Sequence, residues 1–274
     1  MSNTSAHAPI ELISQGHRCT VWLNRPERHN AFDAEVISQL TEAFEGLAQE
    51  PDLRVVVLAA RGGSFCAGAD LRWMHAMADA SEADNLRDAQ QLAQLLWTVH
   101  HCPVPVLAQV NGDCMGGGVG LVAACDIALS SSHAHFALSE VRLGLIPATI
   151  SPYLIQAMGA RHATRYALTA ERFNADTALS TGLVDEVLAP LELMPRVDEL
   201  ARRISSHSPQ AIRQCKRLMR DMAQAPLNPP TRDDTAQRIA HIRASDEGRA
   251  GVAAFLQRQR PPWALPNTGN ETGD

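Results

Sequence analysis

The sequence predicts an α/β protein that ends in an all-helical region. Short β-type runs alternate with helical runs over the first two-thirds of the 274 residues. Two of these runs, 55–60 and 104–110, are almost wholly apolar and close on glycine-rich reversals, as buried strands do. From about Leu191 onward only helical periodicity remains.

Residues 1–9 are rich in Ser, Ala and His and lack a basic-then-apolar leader pattern, so a disordered arm is expected there. Thr20-Val21-Trp22-Leu23 reads as a strand. Asp33 is placed to cap a helix over 34–48. After the strand at 55–60 and a reversal at 61–71 comes a helical stretch carrying Trp73, Met74 and Met77. A longer helix over 83–99 follows, with Leu92, Leu95, Leu96 and Val99 on one face. Pro103 and Pro105 end it and begin the next strand. Asn111 to Gly118 forms a glycine turn that opens onto a buried helix at 119–125. Further strands are predicted at 127–130, 134–138 and 184–187.

In the helical end, Ser208 and Pro209 start a helix whose apolar face holds Ile212, Cys215 and Met219. Ser245, with Asp246 and Glu247 behind it, opens the last helix, which ends near Gln257. The expected division is a core domain over 10–190 that carries the site, a helical domain over 191–263, and a disordered tail over 264–274.

Composition narrows the function. No run of about 18 apolar residues exists, so no membrane span is expected. A net charge of −6 with dispersed signs argues against nucleic acid as the main ligand. The six Cys show no CxxC pairing, which fits reduced thiols in the cytoplasm. Cys66 and Cys114 flank the glycine turns, but no cation stands near to activate them as nucleophiles. His133 and His135 have no further ligands spaced to complete a metal site.

The glycine turn is the most informative stretch. Gly116, Gly117 and Gly118 let a ligand approach the backbone closely, and the helix that follows points unpaired N–H groups at it. No Lys follows the glycines, so this is not a phosphate-binding P-loop, and the spacing is too tight for a dinucleotide fingerprint. The reversal from Arg61 to Leu71 repeats the pattern after the preceding strand. Two such turns side by side would aim two N–H groups at one point. Each donor to a developing oxyanion is worth roughly 3–4 kcal/mol in rate.

These segments resemble the crotonase family, the enoyl-CoA hydratase/isomerase superfamily. The markers run in family order from about Ile10 to Trp263: Asn24-Arg25-Pro26 with Asn30-Ala31-Phe32, Phe65 through Leu71, Asn111-Gly112 with the three glycines, Cys125-Asp126-Ile127, Ser139-Glu140 with Gly144-Leu145-Ile146-Pro147, Ser208-Pro209, and Glu247-Gly248 with Phe255 and Pro262-Trp263. The resemblance implies a spiral of β-β-α turns with a C-terminal helical trimerisation region, and a trimer or dimer of trimers. It implies an acyl-CoA substrate, with CoA part of that substrate and no separate cofactor. The thioester oxygen would rest between the N–H groups of Ala69 and Gly117.

The family's hydratases usually carry two Glu residues. The position of the first falls on Gly120 and that of the second on Glu140, which leaves Glu140 as the expected general acid–base. Three readings remain open: hydration by Glu140 alone, double-bond isomerisation with one carboxylate, or another enolate reaction such as decarboxylation. Gly120 would also free volume for a branched acyl chain. The run from Leu138 to Pro152 resembles methylglutaconyl-CoA and isohexenylglutaconyl-CoA hydratases. With 138–142 read as extended, Arg142 would share a face with Glu140 and could meet a substrate carboxylate. By family position Arg25 and Arg28 would face the CoA phosphates. Ala31, Ala67, Gly68, Asp70, Leu71 and Gly116 would line the bound molecule together with Trp73 and Met74. Phe255 and Arg258 would reach the CoA of a neighbouring subunit.

Overall fold

The computed structural model describes residues 8–265, so the extremes of the expected arm and tail lie outside the described residues. Pro9 is already fixed, since its carbonyl accepts from Asn24 N–H at 2.8 Å. Strands β1 (Ile10–Gln15) and β2 (Arg18–Leu23) form an antiparallel hairpin. The 3-10 turn Pro26–Arg28 leads to helix α1 (Ala34–Gln49), capped as predicted by Asp33, whose carboxylate accepts from Val36 N–H.

The chain then repeats one pattern. Strands β3 (Val55–Ala60) and β4 (Ser64–Cys66) precede α2 (Leu71–Ala78) and α3 (Glu82–His101). Next come β5 (Val106–Val110), β6 (Asp113–Met115) and α4 (Gly117–Ala124). The third round is β7 (Ile127–Ser131), β8 (His135–Ala137) and, after a 3-10 turn at Glu140–Leu143, α5 (Ser151–Thr169). In each round the first strand joins one sheet and the second joins another. The larger sheet has the order β1-β2-β3-β5-β7-β10, parallel beyond the first hairpin; the smaller is β4-β6-β8-β9. This is the expected spiral. Strand β9 (Phe173–Asn174), helix α6 (Ala175–Thr181), strand β10 (Glu186–Leu188) and helix α7 (Pro190–Ser205) follow it.

Every residue of β3 and β5 is buried, which accounts for their unbroken apolar sequence. The core between the layers is built on Phe32, Phe44, Phe65 and Phe136, all essentially inaccessible. Phe136 stacks on Phe173 with ring centroids 5.6 Å apart, and Phe173 meets Tyr166 at 4.2 Å.

Contacts divide the chain into two compact units between Glu199 and Leu200, inside α7. The second unit holds α8 (Pro209–Met222), α9 (Pro229–Ala244) and α10 (Asp246–Leu256). Within it Ser208 caps α8 by accepting from Ala211 N–H at 3.0 Å, and Glu247 accepts from Gln210 N–H at 3.0 Å. Among the described residues no helix is long and apolar enough to cross a membrane.

Phe136→Ala removes a fully buried ring that stacks on Phe173 within the small sheet. It is expected to lower unfolding free energy by about 3–5 kcal/mol, read from urea denaturation midpoints at unchanged slope.

Candidate active site

The small sheet brings the two glycine turns together. Strands β4 and β6 are parallel neighbours with Cys66 opposite Cys114, so the segments beyond their ends lie side by side. The approach is too close for side chains. A Cβ on Gly118 would sit 2.8 Å from Cys66 Cβ, and one on Gly112 only 2.0 Å from Gly63 O.

At each turn the candidate donor N–H lacks an acceptor. Phe32 N–H donates to Gly68 O at 2.7 Å, and Phe32 O accepts from Asp70 N–H at 2.7 Å. Ala69 is held between them in a parallel bridge, and because extended backbone alternates direction its own N–H faces away from Phe32. Gly117 is the first residue of α4, where helical geometry offers its N–H no partner. Among the described residues neither amide has an acceptor. Gly116 N–H, by contrast, is tied to Ala137 O at 2.9 Å, which fixes the start of α4 against β8.

Strand β8 also delivers Glu140. A Cβ on Gly116 would lie 3.2 Å from Glu140 Oε1, so the carboxylate rests against the residue next to Gly117. Glu140 Oε2 is buried and has no hydrogen-bond partner. Burial in this apolar setting pushes its pKa above the usual carboxylate range, against a weaker opposing pull from a backbone hydrogen bond. Two free N–H donors thus stand near one half-buried carboxyl group that resists ionisation.

Gly120 departs from the sequence expectation. It is buried, and a Cβ there would lie 2.1 Å from Ile150 Cγ2 and 2.5 Å from Ile150 Cβ. The volume that Gly120 vacates is occupied by Ile150, which is 2% exposed at the start of α5. It is therefore closed to an acyl chain. No sequence signal marks Ile150, since the contact depends on how α5 packs against α4.

Arg142 is also corrected. Residues Glu140–Leu143 form a 3-10 turn rather than a strand, so positions two apart do not share a face. Arg142 donates instead to Ala170 O at 2.5 Å.

Arg25, Arg28, Asp70 and Ala31 are brought together, but mainly with one another. Arg25 reaches Asp33 Oδ2 at 2.5 Å, Ala31 O at 3.2 Å and Asp70 Oδ2 at 3.4 Å. Arg28 reaches Asp70 Oδ2 at 3.2 Å. Burial opposes ionisation of Asp70, yet the Arg72 N–H and the Arg28 charge outweigh it and hold the carboxyl below its usual range. Arg25, whose side chain is 15% exposed, braces the loop rather than facing solvent; Arg28 keeps 36% exposure. Ala67 and Leu71 are exposed on either side of the buried Gly68 and Asp70. Trp73 and Met74 are half-buried on α2, with Trp73 Nε1 donating to Asp88 at 3.1 Å. Phe255, on α10, and Arg258 just after it belong to the second unit; Phe255 is 82% exposed. Burial pushes the Cys66 thiol up to about 12 and Cys114 well above its ordinary value, so both stay protonated.

Comparison with known proteins decides the family. The model described as Enoyl-CoA hydratase/isomerase matches residues 15–266. The chain belongs to this family, within the crotonase superfamily. An enoyl-CoA hydratase structure from Shewanella pealeana superposes with a TM-score of 0.91 at 37% identity, covering 95% of this chain and 97% of that one. The (E)-benzylidenesuccinyl-CoA hydratase of Thauera aromatica is 34% identical over 267 residues, 93% of this chain and 98% of that protein. The mevalonyl-coenzyme A hydratase sidH of Aspergillus fumigatus is 31% identical over 267 residues, 95% of this chain and 98% of that protein.

Two outcomes are expected for this family member. Gly120→Ala should cost about 1–3 kcal/mol through overpacking. Adding Ile150→Ala should recover part of that loss, giving a non-additive double-mutant cycle in thermal unfolding. Glu140 has a folded-state pKa above its unfolded value, so the stability it contributes is present below the unfolded pKa and fades as pH rises through the folded one. Glu140→Gln should therefore gain stability over the wild type across that same rise, as measured by melting temperature against pH.

Proposed function

We propose that the protein hydrates a 2-enoyl-CoA, with Glu140 as its single acid–base group. The observation that carries this reading is the half-buried Glu140 carboxyl beside Gly116, with its Oε2 unpartnered, next to two N–H groups that lack acceptors among the described residues. The thioester oxygen accepts from Ala69 N–H and Gly117 N–H, which draws electron density from the β-carbon. Water adds there while Glu140 takes one of its protons. The electron pair of the double bond moves through the α-carbon to the oxygen as an enolate. Glu140 then returns the proton to the α-carbon, so the net change is addition of one water and the carboxylate is regenerated.

The relatives support hydration, since both bear the names of CoA-ester hydratases. The residues that directly follow the two site segments, Leu71 after Ala69 and Leu143, Leu145 and Ile146 after Glu140, are apolar and exposed. They suit an apolar acyl chain. A carboxylated chain of methylglutaconyl type is the competing substrate; Arg142, expected to meet its carboxylate, donates through Nη2 to Ala170 O.

One observation favours a second reading. With Ile150 in the space at Gly120, the site offers one carboxylate, which is enough to shuttle a proton between two carbons of a 3-enoyl-CoA. Separate assays with a 2-enoyl-CoA and a 3-enoyl-CoA distinguish the two. Hydration removes the conjugated thioester absorbance of the first, whereas isomerisation creates that absorbance from the second. Under the hydratase reading, crotonyl-CoA loses absorbance faster than methylglutaconyl-CoA, and the 3-enoyl-CoA stays unconjugated.

Glu140→Gln is expected to lower kcat by about 10²–10⁴-fold; turnover within a few-fold of wild type would remove Glu140 from the mechanism. Because Glu140 must be ionised to accept water's proton, kcat/KM should rise with pH through a value above the ordinary carboxylate range.

A further inference from the structure

Both free N–H groups are indexed to one residue. The backbone of Phe32 brackets Ala69 through its bonds to Gly68 O and Asp70 N–H, each 2.7 Å. Its ring lies on the other turn, where a Cβ on Gly117 would meet Phe32 Cδ2 at 3.3 Å and Cε2 at 3.4 Å. The two turns come from different rounds of the spiral, and Phe32 belongs to neither. It precedes α1 in a segment that is itself tied at both ends. On one side Asn30 donates to Arg61 O at 2.9 Å and Ser64 O at 2.8 Å, and accepts from Arg25 N–H at 2.8 Å. On the other, Asp33 holds the first turn of α1 and receives Arg25 at 2.5 Å.

From this arrangement we infer that Phe32 is the positioning residue of the oxyanion site: its backbone sets Ala69, its ring edge sets Gly117, and together they fix the separation of the two donors. The inference rests on the oxyanion reading proposed above. Phe32 touches no reacting atom. It acts by holding two donors to the tolerance at which an oxyanion senses both, where a misplacement on the order of 1 Å can cost about a hundredfold in rate. The ring edge lies close enough to Gly117 that a Cβ there would be a tight contact, and Phe32 is 1% exposed. The marker Asn30-Ala31-Phe32 thereby acquires a physical task for its third member.

The test uses the full chain and a 3-oxoacyl-CoA such as acetoacetyl-CoA, whose enolate absorbs in the near ultraviolet where the keto form does not. The bound enolate fraction reports the two donors without requiring hydration. Free CoA, which has no thioester oxygen, is titrated in parallel. Phe32→Leu shortens the side chain and loses the ring; Phe32→Met restores most of its volume without the flat edge, and so keeps the assay interpretable should the Leu variant fold poorly. The expected result is a Phe32→Met protein with near-wild-type melting temperature and CoA affinity whose enolate-to-keto ratio falls by about tenfold or more, with kcat falling while KM changes little. A Met variant with the wild-type enolate ratio would overturn the inference, because volume alone would then suffice. Parallel loss of CoA binding and enolate signal would overturn it too, leaving Phe32 as core filling. A wild-type chain that binds the probe only as ketone would remove the oxyanion site itself, and this assignment with it.

Discussion

The backbone N–H groups of Ala69 and Gly117, which lack acceptors among the described residues, are the constraint on which the rest of the account depends. A folded chain ordinarily satisfies such donors, since an unmade hydrogen bond at a buried site costs about 1–3 kcal/mol. Here the geometry prevents it twice. Ala69 sits in an extended bridge whose hydrogen bonds belong to Gly68 and Asp70, and Gly117 opens a helix. The parallel pairing of β4 with β6 then places both turns at one end of the small sheet. Glycine at 112 and 118 permits this closeness, because a Cβ at either would run into the neighbouring strand.

The carboxyl group answers to the same packing. Strand β8 both accepts Gly116 N–H and leads into Glu140, so one short strand sets the helix start and the carboxyl group together. Gly116 and Gly120 lie one helical turn apart, Glu140 covering the first and Ile150 the second. An aliphatic side chain thus lies on the turn next to the carboxyl, which fits the apolar surroundings that keep Glu140 reluctant to ionise.

The long elements were legible because burial writes a pattern into them. β3, β5 and the capped helix α1 follow directly from apolar runs and from Asp33. The small sheet was not legible as a sheet: the strand read at 134–138 covers β8, but β4 and β6 have three residues each and β9 two, too few for an alternation to register. Yet this sheet carries the candidate site, so motif order stands in for periodicity there: β4 pairs with β6, and Glu140 rests against Gly116. Where local conformation mattered it failed. Arg142 is expected on an extended face and lies in a 3-10 turn. Ile150 and Phe32 escaped notice as site residues for a different reason: their roles come from contacts between segments far apart in the chain.

The most direct measurement is the infrared carbonyl stretch of a ¹³C-labelled acyl-CoA thioester, taken as a difference spectrum between bound and free forms. Two N–H donors converging on the oxygen should weaken the C=O bond and move the band to lower frequency than in water. A bound carbonyl whose band is unshifted, or lies higher as in an apolar solvent, would contradict the account at its root.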